Sequence, residues 1–254
     1  MSTGADTPVL DVRGLAYRYE AAGGEGVEVV LDTLRVPPGA RLALVGPSGC
    51  GKTTLLDMLG LILTPSRVGR FRLAGGGREA DLTALVRGGD TDALAAVRRD
   101  AFGHVLQHGG LLEFLTVAEN VGLTARHGRA TSTAREGGDD TAALLADLGI
   151  GALAGRLPAA LSAGQRQRVA IARALNARPA VLIADEPTAS LDPETAEGVM
   201  GLFVETAARR GTAVVVASHD RRLIEAHGFT LIEGRTTRGR DGTTVCRFAE
   251  RVAA

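Results

Sequence analysis

Tryptophan is absent from these 254 residues, and aromatic residues make up only 3% of them, so the interior must be built from aliphatic side chains. Charge of one sign is also lacking. The 29 Lys and Arg balance the 29 Asp and Glu, which leaves no whole-chain electrostatic footprint for nucleic acid or for an anionic membrane surface; no nucleic-acid partner is expected. There are two cysteines, Cys50 and Cys246, which form neither a metal-ligand cluster nor a disulfide framework, and the natural setting is a reducing cytosol. No apolar run is long enough to cross a bilayer, and the first residues lack the basic and apolar regions of a signal peptide. Any membrane role is therefore expected to go through a partner.

What is present is a 45% hydrophobic chain with 34 glycines, enough for a packed core with many tight turns. One glycine-rich stretch is specific. Gly46-Pro47-Ser48-Gly49-Cys50-Gly51-Lys52-Thr53 satisfies every fixed position of G-x-x-x-x-G-K-[ST]. It follows the apolar run Leu42-Ala43-Leu44-Val45 and precedes a helical pattern starting at Thr54. In that strand–loop–helix setting, glycines let the backbone wrap phosphate oxygens and the helix-start amides point at the negative charge. Lys52 can reach the β- and γ-phosphates, and the Thr53 hydroxyl can ligate Mg²⁺. Cys50 occupies a variable position of the loop, where it is either a small residue that fits or a thiol activated by the helix start.

Strands are expected at Leu10–Tyr19, 27–31, 42–45 and 68–73, then at 102–106, 180–184 and 212–217. Residues 21–26 and 37–39 are turns. Helices are expected at 90–99, 165–177 and 193–210, and residues 116–160 carry helical periodicity interrupted by a polar surface loop at 126–140. Strand, crossover helix, strand implies a parallel sheet covered on both faces. The arginine-bearing end of the chain reads as a solvated surface.

Four further motifs sit at strand ends or a helix start. Val181-Leu182-Ile183-Ala184 ends in Asp185, suited to hold Mg²⁺, and Glu186, suited to polarise an attacking water. His219 closes the apolar strand ending at Ser218, where ligands of parallel sheets bind, and can hydrogen-bond a γ-phosphate. Gln107 closes the strand before it and can sit near Mg²⁺ and the attacking water. Ser162, Ala163, Gly164 and Gln165 open a helix with a good cap and exposed amides.

Taken together these motifs resemble those of the ATP-binding cassette (ABC) ATPases. Leu161-Ser162-Ala163-Gly164-Gln165 looks like the signature LSGGQ, and 184–192 matches the Walker B and D-loop block. The resemblance implies an α/β fold: a P-loop NTPase core with a parallel sheet flanked by helices, an N-terminal antiparallel β part and a helical subdomain. The domain would span 9–235, with core 9–106 and 165–235, helical subdomain about 107–164, and a C-terminal tail at 236–254. It implies ATP and Mg²⁺ as ligands. Glu186, His219 and Gln107 would be catalytic, and Thr53, Gln107 and Asp185 would hold the metal. Residues Gly46 to Thr54 and Ser162 to Gln165 would bind nucleotide, with Tyr19 stacking on adenine and Tyr17 as a competitor. Ala163 replaces the usual glycine and loses ready access to positive φ. Two copies would pair head to tail, each ATP held between the phosphate loop of one and the signature of the other. Residues 104–121 resemble lipoprotein-releasing and macrolide-efflux cassettes, which implies a separate membrane permease, a peripheral position on the inner face of the cell membrane and export as the expected direction. The apolar residues Leu111, Leu112, Phe114 and Leu115 are either the docking floor for that permease or core. A soluble cassette of translation or DNA repair, or a regulatory one, are the alternatives.

Overall fold

The computed structural model describes residues 7–19, 26–75, 78–107, 109–125, 140–239 and 242–250. Most of the expected turn at 21–26 and of the loop at 126–140 lies outside them. Among the described residues, one sheet of ten strands has the order β5-β4-β1-β2-β10-β9-β3-β8-β7-β6. Its antiparallel part comprises β1 (Leu10–Tyr19), β2 (Val27–Val36), β4 (Arg70–Gly75) and β5 (Arg78–Asp81). Its parallel part comprises β3 (Arg41–Val45), β6 (Phe102–Val105), β7 (Val181–Asp185), β8 (Ala213–Ala217) and β9 (Thr230–Arg238).

The junction between the two parts is β10 (Thr244–Glu250), parallel to β2 and antiparallel to β9. Residues 244–250 of the expected tail 236–254 are thus a strand of the sheet, while Arg235, Arg238 and Arg247 are exposed, as expected of a solvated charge run; residues 251–254 lie outside the described residues. Alternation decides the matter: Cys246 and Phe248 point inward and are buried, while Arg247 points outward to Asp32 of β2. Arg247 on an outward position, with Cys246 and Phe248 as the strand's only buried residues, masked an amphipathic strand. Likewise β2 continues through Leu34 to Val36 because Leu31, Leu34 and Val36 are all buried.

The parallel strands are apolar on both faces because helices cover both. Leu42, Leu44, Val181, Ile183, Val215 and Ala217 join the core that contains α1 (Lys52–Leu59). Their neighbours Ala43, Val45, Leu182, Ala184, Val214 and Val216 join a second core under α6 (Ala163–Asn176) and α7 (Pro193–Arg209). Thus each strand of period two serves two cores.

Three more helices belong to the core lobe: α2 (Leu82–Gly88), α3 (Thr91–Ala101) and α8 (Arg221–Ala226). The helical region adds α4 (Val117–Gly122) and α5 (Thr141–Asp147), both packed on α6. Buried Asn120 ties this region together. Its amide nitrogen donates to the carbonyls of Leu112, Leu115 and Thr116, and its oxygen accepts from Leu112 N at 2.8 Å.

Candidate active site

The phosphate loop leaves β3 at Val45 and enters α1 at Lys52. Glycine is required at its last position. Gly51 has φ +89°, and a Cβ there would lie 2.4 Å from Val29 Cγ2. Gly51 also has no side chain with which to cap α1, whereas α2, α3, α4, α6, α7 and α8 are capped by Asp81, Asp90, Thr116, Ser162, Asp192 and Asp220. The first amides of α1 are left to an outside acceptor, and a phosphate is the natural one. The Lys52 ammonium lies across the loop, 3.1 Å from Gly46 O and 3.2 Å from Pro47 O. Cys50 turns the other way. It is 2% exposed, packed beside Gly46 and Gly234, and burial pushes its thiol up, so the small-residue reading holds and the activated-thiol reading does not.

A cleft of about 400 Å³ opens over the loop. Ser48, Gly49, Gly51, Lys52, Thr53 and Thr54 form one wall; Gln107, Asp185, Glu186 and His219 form the other. Thr53 Oγ1 donates to Asp185 Oδ2 at 2.8 Å, placing two hard oxygen donors side by side at the end of β7. That donor set suits Mg²⁺. Asp57, one turn further along α1, has its carboxyl raised by burial and by Asp185.

Glu186 stands in a left-handed conformation, φ +47°, held by its N–H to Ala217 O. Non-glycine residues in that region cluster where a scaffold over-determines them, often at functional sites. Its Oε1 lies 3.1 Å from His219 Nε2, and its Oε2 accepts from His219 N. Burial raises the Glu186 carboxyl, with His219 and Lys52 opposing. A carboxylate whose proton affinity is raised by burial beside a cleft is a suitable proton acceptor.

Tyr19 is at the edge of this assembly, with its hydroxyl 3.0 Å from Thr54 Oγ1 and its ring edge-on to Tyr17 at 4.8 Å. The Tyr19 ring is exposed, whereas Tyr17 packs against the core. Ala189, which motif reading did not single out, also lines the cleft. Its signal was its place three residues after Glu186 in the same turn.

Ser162, Ala163, Gly164 and Gln165 do not line this cleft. They form the start of α6 as a reciprocal cap: Gln165 N donates to Ser162 Oγ, and Ser162 N donates to Gln165 Oε1 at 2.9 Å. Ala163 is the first helical residue and does not adopt positive φ, so the expected conformational loss from alanine does not arise. Gly164 is constrained instead, since a Cβ there would come 2.6 Å from Thr195 Cγ2 on α7.

Residues 32–189 match the ABC transporter family model. The chain belongs to the ABC transporter family. It is an ATP-binding cassette and an ATPase. A lipoprotein-releasing system ATP-binding protein, LolD of Anaeromyxobacter dehalogenans, is 41% identical over 86% of this chain and 87% of its own length. The macrolide export ATP-binding/permease protein MacB of Chromobacterium violaceum is 40% identical over 83% of the cassette, which spans only 31% of that longer protein. Among solved structures, the dimeric post-hydrolysis state of the ATP-binding cassette MJ0796 bound to ADP and Pi is 29% identical, with a TM-score of 0.68 over 92% of this chain and 95% of that one. The cassette is thus the ATP-binding subunit of an ABC transporter, and a soluble role in translation or DNA repair finds no support among these relatives. Among the described residues no helix is long and apolar enough to cross a membrane.

Proposed function

We propose that this cassette hydrolyses MgATP between two of its own copies and drives a separate permease of the lipoprotein-releasing or macrolide-export kind. The observation that carries the reading is the Glu186–His219 pair facing the phosphate loop while Ser162 lies outside the same cleft.

The Lys52 ammonium exchanges the carbonyls of Gly46 and Pro47 for β- and γ-phosphate oxygens, gaining a charged partner for a neutral one. Amides of Gly49 to Thr54 surround the same phosphates. Thr53 and Asp185, with Gln107 from the opposite wall, would hold Mg²⁺, which neutralises charge between the phosphates. Water attacks the γ-phosphorus, the bond to the β,γ-bridging oxygen breaks, and Glu186 takes the water proton. His219 holds a γ-phosphate oxygen and keeps Glu186 in place. Tyr19 stacks on the adenine. Ser162 to Gln165 of a second copy supply the remaining amides and a hydroxyl; the Ser162 Oγ, accepting within its own cap, keeps its proton for donation.

The permease docks on the surface following Gln107. Leu112 and Phe114 are exposed there, Phe114 to 77%, on the turn that Asn120 fixes, and Leu106 just before Gln107 is exposed as well. An apolar patch of that kind marks a protein partner. The cassette then sits on the inner membrane face through that partner, and export is the favoured direction.

Glu186→Gln tests the reading. The variant should bind ATP as the parent does, lose turnover by about 10²-fold or more, and accumulate ATP-loaded dimer in light scattering. Parental turnover by this variant removes Glu186 as the proton acceptor.

A further inference from the structure

The loop after Gln107 is held from an unexpected direction. Gly109 and Gly110 both adopt left-handed conformations, φ +70° and +57°. Their carbonyls both receive the Arg173 guanidinium: Nη2 donates to Gly109 O at 2.7 Å and Nη1 to Gly110 O at 2.8 Å. Burial lowers the Arg173 pKa, which marks a cation withdrawn from water and spent on two peptide carbonyls. The planar fork matches two adjacent oxygens in a way that a single ammonium cannot. The Arg173 carbonyl in turn accepts from Thr124 Oγ1, just beyond α4.

Arg173 belongs to α6, whose first turn is capped by Ser162. Eleven residues separate them, roughly 16 Å of helix. One rigid element therefore carries the proposed nucleotide-contacting tip at one end and the grip on the Gln107 loop at the other.

We propose that Arg173 is a positioning residue that couples α6 to Gln107, so that closure at Ser162 is transmitted to Gln107 in the cleft. This deepens the functional reading above and rests on the role given there to Gln107. Without the fork, the two left-handed glycines lose the partner that selects their conformation, and Gln107 samples positions away from the cleft. Arg173 does not touch nucleotide, so its loss lowers kcat and leaves ATP affinity nearly unchanged.

The test uses the full chain with Arg173→Ala, Arg173→Lys, Gln107→Ala and the double variant Arg173→Ala/Gln107→Ala. Expected for Arg173→Ala is nucleotide affinity within about twofold of the parent and kcat lower by about tenfold, with no further loss in the double variant because both act through one group. Arg173→Lys should restore the parental melting temperature yet leave kcat low. Hydrogen exchange at amides 107–112 should quicken about tenfold in Arg173→Ala and in Arg173→Lys. Unchanged exchange in these variants, or rate losses that multiply in the double variant, overturns the inference. Full turnover by Gln107→Ala with quickened exchange in the Arg173 variants overturns instead the part assigned to Gln107 and leaves the Arg173 grip standing.

Discussion

His104 shows how a residue can govern stability from just behind the active site. It lies on β6, three residues before Gln107, with its ring against Gly60 at the end of α1 and stacked on Phe102. Its Nε2 is buried without a hydrogen-bond partner. Burial, helped by Arg98, pushes its pKa down to about 4. The folded protein therefore keeps His104 neutral where the unfolded chain, near 6.5, would already be protonated. The unfolded state binds more protons between these values, so stability rises with pH through the window. The stabilisation is fully present above pH 6.5 and is lost as pH falls toward 4, on the order of 3 kcal/mol for this group. Thermal unfolding between pH 7.5 and 5 should show a steeper fall in melting temperature for the parent than for His104→Gln. Equal slopes would mean that the ring is not buried in its neutral form.

At the scale of elements, the contact between α6 and α7 explains the signature better than backbone conformation does. Gly164 lies where a side chain meets Thr195, while Ala163 beside it is exposed at a helical first position. Gly164→Ala should destabilise by about 1–3 kcal/mol through overpacking, and Gly164→Ala combined with Thr195→Ser should recover most of that. Ala163→Gly should leave turnover within about twofold. Denaturant midpoints and phosphate-release rates read both; a neutral Gly164→Ala would show that the helices part at no cost.

The same contact marks the boundary of what the amino-acid pattern discloses. The strand–loop–helix around Lys52, the apolar runs of β7 and β8, and the helices α3, α6 and α7 were legible to within a residue or two, because period, caps and breakers agree there. β5, α2 and α8 were not: they are short, and the two helices are defined by their caps Asp81 and Asp220. β10 was missed because Cys246 and Phe248 are its only buried residues, separated by Arg247 and flanked by no apolar run. The cleft's two walls were legible as motifs; Arg173 and Asn120 were not, since both act on carbonyls that only the folded loop brings together.

For the whole molecule, the separation of Ser162 from the cleft is what the proposed assembly has to explain. A single chain gathers the phosphate loop, Thr53–Asp185 and Glu186–His219 but leaves the cap of α6 elsewhere. In the proposed head-to-tail dimer the other chain's Ser162 would complete each cleft, and a two-fold arrangement of identical chains would make the two composite sites equivalent. Complementation follows from that geometry. Lys52→Ala alone damages both clefts of its homodimer from the phosphate side, and Ser162→Arg alone damages both from the opposite side. In a mixed dimer one cleft inherits both lesions and the other inherits none. Two inactive variants mixed in equal amounts should therefore recover up to about a quarter of the parental rate, since half of randomly formed dimers are mixed and each carries one intact site. The rate should vanish when the same two substitutions are placed on one chain and mixed with itself. If the mixture stays as inactive as its parts, with mixed dimers present by mass, each chain must complete its own site and the head-to-tail arrangement is excluded.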